Sequence, residues 1–525
     1  MDGITPPTRI RRHPAGPGRP NRPGGPGRLG RLAVLPLLLL ALAACATGAT
    51  APPDPGTPAA ESARDRDPRL AAESAKVDEA VRARFGGAYD DPAIVAYVEG
   101  IGRRLAAVSG QADEPWQFAV LDTPDVNAFA LPGGQIYVTR GLVALAGDEA
   151  ELAGVIGHEI GHVTAGHAAS RRRRGTVAGA GVLVATLGLA ILGVDPAGVG
   201  DLVASAAGGV LAGYSRDDER EADTRGIAYL AEAGYDPSAQ ADFLESLGRS
   251  SAFEAERAGK TYDPEATGFF ATHPATGGRV RQTRAIATAV AARPGTGNER
   301  GRARHLAAID GMAWGANVDA GIERDGTFLH RPLNFAFDVA PGHRLVNRPD
   351  SVITGSPEGA RLLFQGTAAE GRGPYAYLTE TWAPSLLKGN TDRLVGLERL
   401  RIGGDPAARA FAPATLEGRR VMVMMVAIRR GPTIYRFLGL APADDRAALL
   451  GLAASADSFR RLTGPERRSI VQPRITIATV RPGDTEASLA RRMAVEDDAL
   501  ALFRLLNDRQ AGDPLSAGDR VKLIR

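Results

Sequence analysis

The stretch that most constrains this 525-residue chain is Gly157-His158-Glu159-Ile160-Gly161-His162, which follows an apolar run. The run and the motif together predict one helix that begins near Glu149. Positions four apart lie above one another on a helix, so His158 and His162 can present two imidazoles to a single point. Glu159 adjoins the first histidine and can reach a water held there. This spacing is typical of zinc hydrolases, which combine two neutral nitrogen ligands with a carboxylate general base.

A catalytic zinc site needs a third protein ligand and keeps one position for water. The candidates lie in the acidic stretch Tyr214–Asp223, which is predicted to open the next helix. Glu219 and Asp223 lie one turn apart on one face, so one can bind the metal while the other orients a histidine ligand. Glu221 points away from that face. The residues alone leave open which of the two carboxylates is the ligand.

His167 is a further histidine close to the motif, five residues past His162. In the metzincin pattern the third histidine falls six residues past the second, after a glycine that breaks the helix. On a continuing helix His167 faces away from the site. We therefore do not expect it to bind the metal.

The segments before the zinc helix predict a helix and a hairpin. Asp91-Pro92 caps a helix that runs to about Val108. Trp116–Leu121 and Gln135–Thr139 are predicted strands, and the turn Pro132-Gly133-Gly134 before the second one indicates a hairpin.

Four ordered motifs resemble those of the M48 (Ste24-like) family of periplasmic zinc metallopeptidases, the outer-membrane quality-control type. They are Asn127–Gly134, His158–His162, Ser215–Asp223 and Thr272-His273-Pro274, and they cover about residues 75–280. The resemblance implies that Glu219 is the third zinc ligand, that Asp223 supports the ligands, and that Arg216 lies beside them. It implies one zinc ion per chain.

The resemblance also implies roles for a strand and for a fourth histidine. Asn127, Ala128 and Phe129 are expected on an edge strand that binds substrate as an added β-strand. His273 is expected close to the metal. There it either donates a hydrogen bond to the developing oxyanion or occupies the open zinc position as a latch.

The N-terminus has the features of a bacterial lipoprotein signal. Residues 1–44 hold seven arginines and one acid and end in an apolar run before Cys45, the only cysteine. This arrangement resembles a lipobox, so we expect signal peptide 1–44, lipidation of Cys45 and a disordered tether over 45–70. Ala46 favours the periplasmic face of the outer membrane. The remaining chain is mildly acidic, which argues against nucleic-acid binding.

An apolar stretch, Val177–Val194, follows the zinc helix and lies at the lower length limit for a membrane span. Asp195-Pro196 ends it before a second apolar segment, Leu202–Ala212. Since the lipid anchor already fixes the chain to a membrane, we interpret the pair as a buried or substrate-facing helical hairpin.

Two segments follow the predicted peptidase domain, residues 71–295. In 300–465, alternating runs predict an antiparallel sheet with a helix packed on it, and the segment weakly resembles a Mog1/PsbP-like α/β domain. In 470–525, a β-α-α-β pattern resembles a LysM module, a small fold that binds cell-wall glycans. We expect this last segment to fold as a unit on its own.

These observations predict an α+β protein. A mainly helical zincin-type peptidase domain with a small sheet precedes an α/β sandwich and a βααβ module. The expected function is zinc endopeptidase activity on misfolded or stalled envelope proteins. The alternative is a chaperone-like outer-membrane assembly factor with a latched site. Outer-membrane assembly machinery and, through 475–525, peptidoglycan are the further candidate partners.

Overall fold

The computed structural model of the chain describes residues 77–82, 85–131, 133–168, 170, 214–257, 259, 261–262, 269, 273, 278–387, 393–416, 418–495 and 497–525. The elements of the N-terminal part are α1 (Pro92–Ala106), β1 (Gln117–Leu121), β2 (Ala128–Leu131), β3 (Gln135–Thr139), α2 (Arg140–Leu145), α3 (Glu149–Thr164), α4 (Arg216–Glu232), α5 (Ala239–Arg257), α6 (Arg279–Ala291) and α7 (Arg302–Ile309).

The C-terminal part is rich in strands. Its elements are β4 (Ile322–Arg324), β5 (Thr327–His330), β6 (Phe335–Asp338), β7 (Arg344–Arg348), β8 (Ser351–Gly355), β9 (Arg361–Ala368), the helical segments Pro374–Ala376, Tyr377–Trp382 and Ala383–Leu386, β10 (Val395–Ile402), β11 (Asp405–Leu416), β12 (Arg419–Arg430), β13 (Thr433–Pro442), α8 (Arg446–Asp457), α9 (Gly464–Ser469), β14 (Ile475–Thr479), α10 (Glu486–Ala490), α11 (Ala499–Leu506) and β15 (Arg520–Ile524).

Helix α3 carries the His-Glu-Ile-Gly-His motif and begins near the predicted residue. Asp148 caps it, because its side chain accepts a hydrogen bond from the Glu151 backbone N–H at 2.9 Å. Every residue of α3 except Val163 is buried, and so is its cap Asp148. The motif therefore lies inside the core rather than on a surface helix.

Helix α4 begins with a reciprocal cap. The Asp218 N–H donates to Ser215 Oγ at 3.2 Å, and the Ser215 N–H donates to Asp218 Oδ2 at 3.1 Å. Asp218 is thus occupied at the helix end. Glu219 and Asp223 follow it on α4 and can point toward α3.

Helices α3 and α4 lie in close contact because small residues face each other. A Cβ added at Gly161 would lie 2.8 Å from the Ala222 carbonyl oxygen, and one at Gly226 would lie 2.9 Å from the His158 nitrogen. Side chains on the facing surface of α4 therefore reach the histidines of α3 directly.

A small sheet adjoins these helices, with strand order β1-β3-β2. Strand β2 pairs with β3 in antiparallel fashion, which confirms the predicted hairpin, and β1 pairs with β3 in parallel. Among the described residues, β2 lies at one edge of this sheet, and α3 packs against it.

The hydrophobic core around α3 extends beyond the predicted end of the peptidase domain at residue 295. It includes four buried residues from beyond that point: Leu306 and Ile309 of α7, then Met312, and Ile475 of β14. The Ile475 N–H donates to the Met312 carbonyl at 2.8 Å, and the Gly311 N–H donates to the Ile475 carbonyl at 2.8 Å. The C-terminal strand is therefore part of the same packed unit as the zinc helix.

The C-terminal segment has the predicted β-α-α-β order, with β14 and β15 antiparallel. That it folds as a unit on its own stays a prediction, and two of its residues contact the N-terminal part. Ile475 packs in the core of the N-terminal part, and Lys522 of β15 is buried against α2.

The segment between these regions contains the predicted antiparallel sheet. Its strand order within the described residues is β10-β11-β12-β13-β9-β8-β7. Helix α8 covers one face, as expected, and the helical segments of 374–386 pack on the other. The mixture of helices and sheets agrees with the predicted α+β class.

Residues 1–76 and 171–213 lie outside the described residues. The predicted signal peptide, Cys45, the tether and the apolar pair Val177–Val194 and Leu202–Ala212 fall there. Within the part of the chain that the structure describes, no helix combines the length and the apolar character needed to cross a bilayer.

Candidate metal centre

Four side chains meet where α3 faces α4. The Nε2 atoms of His158 and His162 lie 3.0 Å apart. Glu219 Oε1 lies 3.4 Å from His162 Nε2 and 3.1 Å from His273 Nδ1. One donor atom from each of the four lies within 4.8 Å of all the others. Ligands about 2.1 Å from a tetrahedral zinc ion would be about 3.4 Å apart, so this spacing suits one ion.

The burial of the cluster also fits a bound cation. All four donors are buried, from 0% exposure for His273 to 2% for His158. Among the described residues, both carboxylate oxygens of Glu159 and Nε2 of His273 are buried without a hydrogen-bond partner. Such groups are costly in a protein interior unless a partner compensates them. Three imidazoles and one carboxylate are the ligands that zinc takes.

Glu159 lies beside the cluster rather than in it. Its Oε1 atom is 3.4 Å from His273 Nε2. Burial raises the pKa of Glu159 above its ordinary value, although the charges of His273 and His158 act against that shift. A raised pKa suits a carboxylate that must accept a proton and then release it.

Asp223 supports His158 from behind. Its Oδ1 atom lies 2.9 Å from His158 Nδ1, so the ring donates there and directs Nε2 at the cluster. Arg279 of α6 donates to both oxygens of Asp223 at 2.8 Å and reaches Glu219 Oε2 at 2.6 Å. Burial alone would raise the pKa of Asp223, but the charges and hydrogen bonds of Arg279 and His158 together outweigh burial and lower that pKa well below its ordinary value.

Arg279 is therefore an arginine beside the ligands, whereas the expected role of Arg216 stays a prediction. Arg216 is exposed at the first position of α4. Arg279 was missed because it belongs to none of the motifs that the sequence analysis identified. One signal was present, since a cation in the first turn of a helix opposes the helix dipole. That position indicates a partner elsewhere in the fold.

His167 contributes no donor to the four-residue cluster. The expected reason was wrong, because α3 ends at Thr164 and does not continue to His167. A turn at 165–166 follows the helix, and His167 Nδ1 lies 2.9 Å from Nδ1 of His162.

The predicted substrate residues lie at the start of β2. Asn127 precedes the strand, and its side-chain oxygen accepts from the Ala128 N–H at 2.9 Å. The Phe129 side chain is buried against Tyr137 and Phe85. Because the Thr139 N–H donates to the Asn127 carbonyl, the alternation of antiparallel pairs directs the backbone groups of Ala128 and Ala130 away from β3.

A helix pair that gathers two histidines, a glutamate and an adjacent carboxylate around one buried point defines the zincin class of metal-dependent peptidases. Residues 92–287 match the model of Peptidase family M48, so the chain carries an M48 peptidase domain. The matched range contains every member of the cluster.

Curated relatives agree with this family. The beta-barrel assembly-enhancing protease of Yersinia pestis is 30% identical over 167 residues, which are 31% of this chain and 34% of that protein. The putative beta-barrel assembly-enhancing protease of Vibrio cholerae is 33% identical over 165 residues, 30% of this chain and 34% of that protein. The mitochondrial metalloendopeptidase OMA1 of Schizosaccharomyces pombe is 32% identical over 186 residues, 35% and 51%. The chain thus spans about a third to a half of these relatives.

Solved structures resemble the chain only distantly. Cyanobacterial PsbP from Synechocystis sp. PCC 6803 has 11% identity and a TM-score of 0.22, and covers 26% of this chain and 91% of that one. LpqN of Mycobacterium tuberculosis has 14% identity and a TM-score of 0.19, and covers 25% and 83%. These scores are too low to assign a fold, so the Mog1/PsbP-like fold of 300–465 stays a prediction.

Proposed function

We propose that this protein is a zinc-dependent endopeptidase in which His158, His162 and Glu219 hold the metal and Glu159 is the general base. The observation that carries the proposal is the buried cluster itself, beside which the Glu159 carboxylate has no hydrogen-bond partner among the described residues. A purely structural zinc site would not need that carboxylate.

The chemistry follows from these positions. When bound, zinc supplies a Lewis acid that polarises the scissile carbonyl. Glu159 accepts a proton from the attacking water and passes it to the leaving amine. Asp223, held by Arg279, keeps His158 in the tautomer whose Nε2 is free to bind metal.

We further propose that substrate binds along β2 as an added strand. The outward backbone groups of Ala128 and Ala130 supply the hydrogen bonds, and Asn127 controls access to the Ala128 N–H. The buried Phe129 side chain holds the strand in position against Tyr137 and does not contact substrate. Backbone hydrogen bonds do not depend on the side chains of the substrate. This mode of binding therefore suits unfolded chains of many sequences.

The cellular setting is inferred from the N-terminal signal and from the names of the relatives. We place the protein at the periplasmic face of the outer membrane, anchored through Cys45, with unfolded or misassembled envelope proteins as substrates. Outer-membrane assembly machinery is a candidate partner. Peptidoglycan is a second one, through the LysM-like segment 475–525.

The proposed domain organisation keeps the predicted ranges. The signal peptide is 1–44, the tether 45–70, the peptidase domain 71–295, the α/β domain 300–465 and the LysM-like module 470–525. Helix α7 and strand β14 join the last two regions to the peptidase core.

One observation favours the chaperone-like alternative. His273 supplies a fourth donor to the cluster, and four protein ligands close a tetrahedral zinc site. On this view the enzyme is latched at rest, and its assembly role does not require cutting.

The decisive experiment uses the purified chain from Ala46 with the variant Glu159→Gln. The variant should retain stoichiometric zinc by elemental analysis, because every ligand remains. Cleavage of casein should fall roughly 10²–10⁴-fold, because the general base is lost. Full activity of E159Q would overturn the assignment of Glu159, and a wild-type chain without zinc would overturn the proposed function.

A further inference from the structure

We propose that His167 and Tyr214, neither of which is a metal donor, position His162 so that its Nε2 atom faces the metal. The proposal rests on the zinc site of the proposed function. It assigns a role to a histidine that the sequence pattern excludes as a ligand and to an aromatic residue that the sequence pattern leaves unexplained.

His167 is held on both of its ring nitrogens. Its Nδ1 atom lies 2.9 Å from His162 Nδ1. Its Nε2 atom lies 3.4 Å from Glu221 Oε2 and 3.7 Å from Asp218 Oδ1. The side chain is 3% exposed. A buried imidazole between a ligand and two carboxylates has its orientation fixed from both ends.

When the metal is bound, these contacts allow only one arrangement of the ring protons of His162 and His167. His162 Nε2 must be unprotonated to bind a metal, so His162 carries its proton on Nδ1. Nδ1 of His162 is then the donor and Nδ1 of His167 the acceptor. His167 therefore carries its own proton on Nε2, and that N–H points at Glu221. Each donor in this series has an acceptor.

The two histidine ligands are thus supported differently. His158 donates directly to the carboxylate of Asp223 at 2.9 Å. His162 donates to an imidazole, which in turn donates to a carboxylate. Metal-binding histidines commonly donate their second N–H to a carboxylate or carbonyl, and the longer arrangement does the same through one more ring.

Tyr214 fixes the plane of the same ring. Its aromatic ring stacks on the His162 imidazole, with centroids 3.7 Å apart and planes 20° apart. Tyr214 is 9% exposed and lies just before the cap of α4. His167 therefore fixes the tautomer of His162, and Tyr214 hinders its rotation about χ2.

The test compares His167→Gln with His167→Leu in the full chain. A glutamine oxygen can accept from His162 Nδ1–H while its amide donates to Glu221, so H167Q should keep the wild-type zinc affinity. Leucine fills the space without an acceptor, so H167L should weaken zinc binding about 10- to 100-fold in chelator competition. The absorption spectrum of the cobalt-substituted protein should change in H167L and not in H167Q.

Tyr214 and a control histidine complete the design. Tyr214→Phe keeps the stacked ring and should keep zinc affinity, whereas Tyr214→Leu should weaken it. His305→Leu removes another fully buried histidine, which contacts Tyr97 and lies outside the cluster. That variant should lower the melting temperature without changing zinc affinity.

The outcomes separate the two proposals. Equal zinc affinity in wild type, H167Q and H167L overturns the positioning role of His167 and leaves the zinc site standing. Equal loss in H167Q and H167L also overturns it, because the loss then follows from packing and not from the acceptor. A wild-type chain that binds no zinc overturns the proposed function itself.

Discussion

The acids of the stretch 217–223 have different partners, although they are chemically alike. Asp217 pairs with Arg220, Asp218 caps its own helix, Glu219 joins the cluster, Glu221 contacts His167 and Arg225, and Asp223 supports His158. Helical periodicity separates Glu219 and Asp223 from the others. Only the neighbours from other elements distinguish the ligand from its support.

His273 is the residue whose substitution is most informative. Four protein donors close a tetrahedral site, whereas a catalytic one keeps a position open. We therefore expect His273→Ala to raise casein cleavage and self-cleavage relative to the wild type. Initial rates at matched zinc occupancy measure this directly, and His343→Ala, a histidine far from the cluster in sequence, is the control.

A fall in activity of roughly 10²–10³-fold in His273→Ala would instead identify an oxyanion donor. Unchanged activity would contradict both roles. Two contacts hold His273 in place. Phe269 stacks on its ring with centroids 4.3 Å apart, and Arg279 donates to its backbone carbonyl at 3.3 Å.

At the scale of elements, the contact of α3 with α4 sets the geometry of the ligands. Gly161→Ala would put a methyl group 2.8 Å from the Ala222 carbonyl oxygen, so the helices must separate. Such overpacking costs about 1–3 kcal/mol of stability and moves Glu219 away from the histidines. We expect reduced zinc content and activity.

Gly157→Ala is the matched control on the same helix. Its added Cβ would lie 3.4 Å from the Gly226 carbonyl oxygen, close to ordinary contact. Alanine also favours the helix by up to about 1 kcal/mol. Zinc content and melting temperature should stay near wild type, and equal damage in both variants would contradict the account.

Strand β2 provides a second prediction at this scale. The Ala130 N–H points away from β3, so Ala130→Pro removes a donor from the free edge while it spares the hairpin. Loss of one substrate hydrogen bond, worth about 0.5–1.5 kcal/mol, should lower kcat/KM roughly 2- to 10-fold. Ala130→Ser, which keeps the N–H, should retain wild-type kcat/KM; equal values for both variants would exclude strand addition at this position.

At the scale of the whole molecule, the C-terminal strand stabilises the segment that leads into the zinc helix. Lys522 is fully buried, and its Nζ donates to the carbonyls of Ala144 at 2.8 Å, Leu145 at 3.3 Å and Ala146 at 2.7 Å. Burial and then the charge of Arg302 lower the pKa of Lys522 to about 7. The ammonium thus caps α2 just before α3 begins.

Lys522→Met keeps the length of the side chain but leaves these carbonyls without their donor. Leaving buried polar groups unpaired costs about 1–3 kcal/mol, so the melting temperature of the peptidase part should fall. Arg520→Met on the same strand changes an exposed residue and should have no effect. Deleting 470–525 should destabilise the peptidase more severely, and a stable, fully active truncated chain would contradict this.

The sequence by itself determined the zinc helix and its approximate start, the hairpin and the order of the C-terminal elements. It also singled out His158, Glu159 and His162 by their spacing and the pair Glu219 and Asp223 by their shared helix face, whereas His273 followed only from the family resemblance. These features depend on spacings within one or two helical turns or one strand pair, and such short spacings are visible in a single sequence.

Only the tertiary structure decided which charges support the site and which segments share its core. Arg279 is 56 residues from Asp223, and Lys522 is 378 residues from Ala144. A buried charge must find a partner, but no local period records where along the chain that partner lies. The contact between His162 and His167 was missed for a different reason, because the helix was expected to continue past Thr164, where the structure has a turn.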